Sequence, residues 1–282
     1  MIKIISDSTS DLGEELLKKY DISVLPLHVT MGEEEYRDGV DITPDELYAW
    51  ADANKTTPKT SAASIVEAIR LFQEYGKDGN EIICFSISES MSTTGNVMRM
   101  AAAEADMEDR VHVINSESLS TGVGLLVLEA AIMAKEGKSA GEIVETIEAL
   151  KPMVRASFVV DTLTYLHRGG RCSSVAALAG GALKLHPRIA VEGGKMDAGK
   201  KYRGKMNSVI LSYVKDMEEE LRNAKKDRVF ITHSGCDDEI ILVVKEYLEG
   251  LGRFDEILIT RAGSVISSHC GPGTLGVLFI AQ

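Results

Sequence analysis

The sequence predicts an α/β protein of two domains, an N-terminal three-layer domain on a parallel sheet and a C-terminal α/β domain on a mixed sheet. Three observations carry that prediction. Short apolar strand patterns alternate with capped helices as far as Pro152, and such alternation implies parallel βαβ units with right-handed crossovers. Beyond Pro152 a hairpin pattern enters, which suggests a mixed sheet covered on one face. A chain of 282 residues, at about 150 residues per domain, is also long enough for two cores.

Taken in order, Ile2 to Ile5 reads as a buried strand that runs into the polar stretch Ser6-Asp7-Ser8-Thr9-Ser10-Asp11. Leu12, Leu16 and Leu17 then carry helical spacing. Asp11 with Glu14 has the form of a capping box for that helix. Ile22 to Thr30 is a second strand. Thr43-Pro44-Asp45-Glu46 combines a cap hydroxyl, a proline in the first turn and a glutamate at the third position, and it starts the helix through Trp50. Ser64 with Glu67 starts another. Glu81 to Ile87 and Val111 to Asn115 are short apolar strands, followed by the loops Ser88 to Gly95 and Ser116 to Gly122. A helix succeeds each loop, the second spanning Leu125 to Lys135, and Ser139 with Glu142 caps the helix before Pro152. Ala156 to Asp161 is then a strand, Arg168-Gly169-Gly170-Arg171 a turn, and Ile189 to Lys205 a hairpin about Gly193-Gly194. Strand-helix units at Arg228 to Thr232 and Glu256 to Thr260 precede a last strand, Leu275 to Ala281. The domains are 1–152 and 153–282, with no internal repeat or low-complexity linker.

Composition removes several function classes. A formal net charge of -12 works against nucleic acid and anionic membranes, because phosphate binding needs clustered Lys and Arg. Cys84, Cys172, Cys236 and Cys270 stand singly, without metal or disulfide spacing, so reduced thiols and a cytoplasmic location are expected. The apolar start is too short for a signal peptide, and no run approaches a membrane span. Gly122-Val123-Gly124 begins like a dinucleotide loop, but Val127 stands where the third glycine belongs; Gly137-Lys138-Ser139 resembles a phosphate-loop ending, with Ile132 in place of its first glycine. HExxH, EF-hand and GxSxG patterns are absent, so neither a metal nor a cofactor is expected.

Parallel sheets bind ligands in the loops beyond the carboxyl ends of their strands, which directs attention to three polar clusters. Thr60-Ser61 supplies two hydroxyls before a helix already capped by Ser64. Ser88-Glu89-Ser90-Met91-Ser92-Thr93-Thr94 holds more hydroxyls than one cap requires. Ser267-Ser268-His269-Cys270-Gly271-Pro272-Gly273 reads as a turn whose glycines allow close backbone approach beside an imidazole. Arg168, Arg171 and Arg203 are candidates to balance a carboxylate.

In this order the motifs resemble those of the DegV family of bacterial fatty-acid-binding proteins, nearly end to end. The family's opening Asp-Ser loop is similar to Ser6-Asp7-Ser8-Thr9, its Asp-Gly-Val-Asp segment to Asp38 through Asp41, and its Thr-Ser motif to Thr60-Ser61. Its Leu-Ser-Gly-Thr loop aligns with Met91-Ser92-Thr93-Thr94, its Leu-x-Tyr-Leu-x-x-Gly-Gly-Arg run with Leu163 to Arg171, and its His-x-Gly-Pro-Gly with His269 to Gly273. The sequence departs from the pattern at Thr93, where the family has glycine, at Gly95, where it has tyrosine, and at Ala62-Ala63, which replace Gln-Pro.

The resemblance implies one long-chain fatty acid between the two domains, its carboxylate held by Thr60 or Ser61, Ser92 and His269, with Thr93, Gly271, Arg171 and Arg203 nearby. It also implies a partner, a separate ATP-dependent kinase that turns the bound acid into an acyl phosphate for lipid synthesis. The chain itself would be a carrier without catalysis. Two other readings of the same residues stand beside it. Ser92 could be a nucleophile served by His269 and Asp7 in a hydrolase or acyltransferase, or the domains could close on a different small carboxylate as a sensor.

Overall fold

The computed structural model describes residues 1–176 and 185–282. Along the first half run β1 (Ile2–Asp7), α1 (Glu14–Tyr20), β2 (Ile22–Leu25), β3 (His28–Met31), β4 (Glu34–Arg37), α2 (Pro44–Asn54), β5 (Lys59–Ser61) and α3 (Ile65–Tyr75). They are followed by β6 (Glu81–Ser86), α4 (Thr94–Glu104), β7 (Val111–Asn115), α5 (Thr121–Lys135) and α6 (Ala140–Leu150). The second half holds β8 (Val154–Val159), α7 (Thr164–Gly169), α8 (Ser173–Ala176), β9 (His186–Glu192), β10 (Lys195–Tyr202), α9 (Met206–Asp216) and α10 (Glu218–Arg222). It closes with β11 (Ala224–His233), α11 (Asp238–Gly250), β12 (Glu256–Arg261), α12 (Ser264–Cys270) and β13 (Leu275–Ala281).

Strands β2-β1-β6-β7 form a parallel sheet in that order, the arrangement that βαβ alternation predicts. Side chains alternate across it with period two. Ile4, Ile83, Phe85 and Ile114 face α5 and α6, while Ile5, Ile82, Cys84 and Val111 face the side of α3 and α4 with Phe72 and Met98. The mixed sheet has the order β10-β9-β8-β13-β11-β12, parallel only between β11 and β12. The parallel sheet and a small antiparallel sheet, β4-β3-β5, take every strand up to Asn115, and the mixed sheet every strand from Val154 on.

The apolar interior does not divide at that point. Helix α5 is buried from Thr121 through Leu128, and one cluster joins its Val123 and Leu126 to Ile4 and Phe85 of the parallel sheet and to Ala156, Phe230 and Leu278 of the mixed one. A helix apolar on all sides belongs between two layers. The mixed sheet is therefore covered on both faces, by α9 and α11 on one and by α5 on the other, where the sequence suggested one. The same packing explains the Gly-Val-Gly sequence rejected above as a nucleotide loop. A Cβ on Gly124 would lie 2.9 Å from the Ser10 carbonyl oxygen, and one on Gly122 3.2 Å from the Ala156 Cβ.

Local signals held where nothing distant competed. Thr43/Glu46 and Ser139/Glu142 make both bonds of their capping boxes, and Ser64 accepts from the Glu67 amide. The expected Asp11/Glu14 box does not form. Gly13 is the N-cap of α1, and the Asp11 carboxylate accepts instead from the Gly263 amide, because an interior N–H without water needs an acceptor more than an exposed helix end does. The expected strand Ile22 to Thr30 breaks at Pro26, which has no N–H to donate; β2 stays in the parallel sheet, and β3 turns away into the small one. Ser8 Oγ accepts from the Leu27 amide at that bend.

Candidate ligand-binding site

The loops at the carboxyl ends of β2, β6 and β7 meet the mixed sheet and α12 around a cleft of about 460 Å³, within the roughly 300–1,000 Å³ typical of small-molecule sites. Its walls are mainly apolar: Leu27, Ile87, Met91, Leu119, Met196, Val265 and Ile266. A second space of about 20 Å³ shares Leu119, Ile266 and Cys270 with it and continues past Phe158 and Leu278. Together the two define a lane from a polar mouth into the gap between the sheets.

The polar mouth centres on Thr60 and His269, whose Oγ1 and Nε2 atoms are 2.8 Å apart. Two predicted loops are regular structure here. Thr60-Ser61 lies in β5, whose period of two turns Thr60 to His269 and the Ser61 hydroxyl to Glu35. Ser267 to Cys270, expected in a turn, is the C-terminal part of α12, and the turn begins at Gly271. Burial and the positive charge of Arg171 lower the His269 pKa to about 4, so the imidazole is neutral at pH 7. Its Nδ1 is buried and lacks a hydrogen-bond partner among the described residues. Gly169 packs against that nitrogen so closely that a Cβ would lie 2.3 Å from it, whereas Gly170 is needed for its left-handed φ of +67°.

Arg171 follows directly on this glycine pair. It is exposed, and its guanidinium donates to the Gly169 carbonyl at 2.7 Å and the Met91 carbonyl at 3.4 Å, which ties the two halves of the mouth together. Ser92 lines the cleft partly buried, its Oγ 3.0 Å from Thr94 Oγ1. Thr93, exposed, begins α4 without a side-chain cap bond. The remaining hydroxyls of this loop are structural: Ser88 and Ser90 both donate to the Gly194 carbonyl at the tip of the β9–β10 hairpin. Gly95 lets the chain pass close to Glu89, since a Cβ there would lie 2.9 Å from its Oε1.

Of the eight residues that the resemblance gathers about the carboxylate, Thr60, Ser61, Ser92, Thr93, Arg171 and His269 border the cleft, and Gly271 and Arg203 do not; nor does Arg168. Gly271 instead makes room for a ring: a Cβ would lie 2.7 Å from Tyr165 Cδ2, and Tyr165 meets Tyr48 edge-on at 6.1 Å. Arg203 is exposed just beyond β10, where strand geometry carries it away from the mouth. Sequence reasoning missed the apolar walls, above all Leu119 and Ile266, because a buried Leu or Ile in a core and one in a lane look alike in a sequence.

The serine triad of the rival reading is not assembled. Asp7, its pKa pushed up to about 6 by burial, accepts from the Thr9 hydroxyl and amide and from the Ile87 amide, and no described carboxylate reaches His269. Cys270 also borders the cleft, but burial pushes its thiol up to about 12 and so keeps it protonated.

A model of the DegV protein family matches residues 1–282. The chain belongs to the DegV family. A DegV domain-containing protein of Caldanaerobacter subterraneus subsp. tengcongensis is 34% identical over 282 residues, covering 99% of this chain and 98% of the relative. Two solved structures superpose closely. A DegV family protein from Thermus thermophilus, described for its fatty acid binding, gives a TM-score of 0.91 at 30% identity, with 100% of this chain and 99% of that one covered. A stearic acid-binding protein from Eubacterium ventriosum gives 0.87 at 32% identity, with 100% and 98% covered.

Proposed function

We propose that this chain binds one long-chain fatty acid, with the alkyl tail in the lane between the sheets and the carboxylate at the Thr60–His269 mouth. The observation that carries the reading is the lane itself, rich in hydroxyls at the Thr60–His269 mouth and walled farther in by Leu119, Phe158, Ile266 and Leu278. The fatty-acid ligands of the Thermus and Eubacterium proteins, which share the fold over their full length, support it. Burying about 15 methylenes contributes about 12 kcal/mol gross, against roughly 4–15 kcal/mol lost on association. The tail thus supplies the affinity, and the mouth need only orient the carboxylate.

Neutral donors suit that task. Thr60, Ser92 and an uncharged His269 hold the head group by hydrogen bonds, without the locked bidentate ion pair that a buried arginine would make. A carboxylate so held stays open to a phosphoryl donor, and the chain acts as a carrier that presents it to a separate ATP-dependent kinase, without catalysis of its own. The free thiols fit a reducing, cytoplasmic setting.

Mass spectrometry of organic extracts from natively purified protein tests the binding claim. A stoichiometric fatty acid is expected; an empty lane or a polar ligand in repeated preparations would defeat the reading. Acyl phosphate formation from the loaded protein with ATP and a kinase subunit, absent when either is omitted, tests the presentation step.

A further inference from the structure

The cleft wall contains one short helix whose attachment is unusual. Helix α12 follows β12 of the mixed sheet and packs against α7, yet it packs also against α2, β3 and β5 of the first half and sends Val265, Ile266, His269 and Cys270 into the cleft. Its first turn is held by two carboxylates from distant parts of the chain. Asp11 Oδ1 accepts from the Gly263 amide at 2.8 Å, and Asp38 Oδ1 accepts from the Ser264 amide at 2.7 Å. Both acids are buried, at 6% and 2% exposure.

Gly263 sits between them. A Cβ there would lie 3.1 Å from Asp38 Oδ1 and 3.2 Å from Asp11 Oδ1, so an alanine would force the carboxylates apart. Asp11 and Ser120, which donates its hydroxyl to Asp11, are both non-glycine residues with positive φ, 50° and 53°. Such conformations are unfavourable and persist where surrounding structure holds them. Two buried acids, both with pKa raised by desolvation, exceed what capping a helix requires, since one serine or asparagine hydroxyl or amide would suffice.

At its other end the same helix carries His269, fixed by Thr60 on one side and by Gly169 on the other. A helix seven residues long is a short rigid lever, and a shift at its first turn reaches its last. We propose that Asp11 and Asp38 are positioning residues for His269, setting the hydrogen-bonding end of the cleft from outside it. In this arrangement the first half of the chain aims a side chain that belongs, in sequence, to the second. The inference deepens the fatty-acid reading above and rests on it for its effect on ligand.

Two readouts separate the claims. In Asp38→Ala and Asp11→Ala, affinity for a long-chain fatty acid is expected to fall about 10-fold, the scale of one lost charge-assisted hydrogen bond, while affinity for the alcohol of equal chain length stays within about twofold. Asp38→Asn retains an acceptor oxygen and should recover most of the loss, and it serves where the alanine variants fold poorly. The His269 ring resonance in ligand-free protein should move in the alanine variants and return toward its wild-type position in Asp38→Asn. Acid and alcohol affinities that fall together, or an unmoved resonance, would overturn the positioning role. Wild-type protein that binds neither acid nor alcohol would instead defeat the fatty-acid reading, and the resonance would still decide the positioning claim.

Discussion

The two ends of the cleft are built on opposite plans. The inner end is a mainly apolar surface drawn from α5's approach loop, α12 and the mixed sheet, and it works by area. The mouth is a few hydrogen-bonding atoms held at fixed positions by β5, α7 and α12, and it works by geometry. Apolar burial is additive and tolerant of detail, whereas a hydrogen bond is lost within an ångström. Affinity should therefore follow the inner end and orientation the mouth.

The largest effect is expected where the lane narrows. Leu119→Trp would fill the junction of the two spaces, and displacing about four methylenes should weaken binding by about 3 kcal/mol, roughly 200-fold. Titration with fatty acids of decreasing length checks this: the variant should regain affinity for short chains. Uniform loss at every length would break the comparison.

Acidification probes the mouth. The His269 pKa is lowered from 6.5 to about 4 in the folded chain, so between those values the unfolded chain binds a proton that the folded chain does not. Stability attributable to His269 is present above pH 6.5 and is lost as pH falls toward 4, with a slope of at most about 1.4 kcal/mol per pH unit. Asp7 acts in the opposite sense, since its folded pKa is raised from 3.8 to about 6 and the folded chain then holds the extra proton. The His269 contribution is isolated as the difference in urea-unfolding stability between wild type and His269→Gln; a difference constant from pH 7 to pH 4.5 would contradict the buried neutral imidazole.

A smaller change sharpens the contrast between neighbours. Thr60→Val should weaken fatty-acid binding by about 1 kcal/mol without touching the alcohol of equal length. Ser61→Ala should leave both within about twofold, because that hydroxyl faces Glu35 at 3.4 Å across an exposed edge. Calorimetric titration of the pair decides whether β5 presents one hydroxyl to the ligand or two.

Much of this fold was legible in the sequence. The apolar runs Ile2 to Ile5 and Glu81 to Ile87, and the capping boxes at Thr43 and Ser139, depend on residues close together in the chain, so local pattern suffices. The same is true of the glycine turn at Gly170, where a positive φ is a local demand. Asp11 shows the limit. Its spacing to Glu14 satisfies the capping pattern, and only the arrival of α12 from more than 250 residues away makes the Gly263 amide the stronger claimant. The cleft was half legible: the hydroxyl clusters and His269 stood out as polar residues in excess of turn chemistry, but nothing near Thr60 in the chain distinguishes it from Ser61.

By itself the sequence determined the class of fold, the βα alternation of the first half and the short polar segments from which a site could be made. Which hydroxyl meets the imidazole, which glycine yields to a ring and which carboxylates hold α12 were decided only by the tertiary structure. The reason is physical. Element formation is governed by backbone geometry and side-chain period within a few residues, whereas desolvation and hydrogen-bond competition depend on what is packed alongside, and packing joins segments that the sequence keeps far apart.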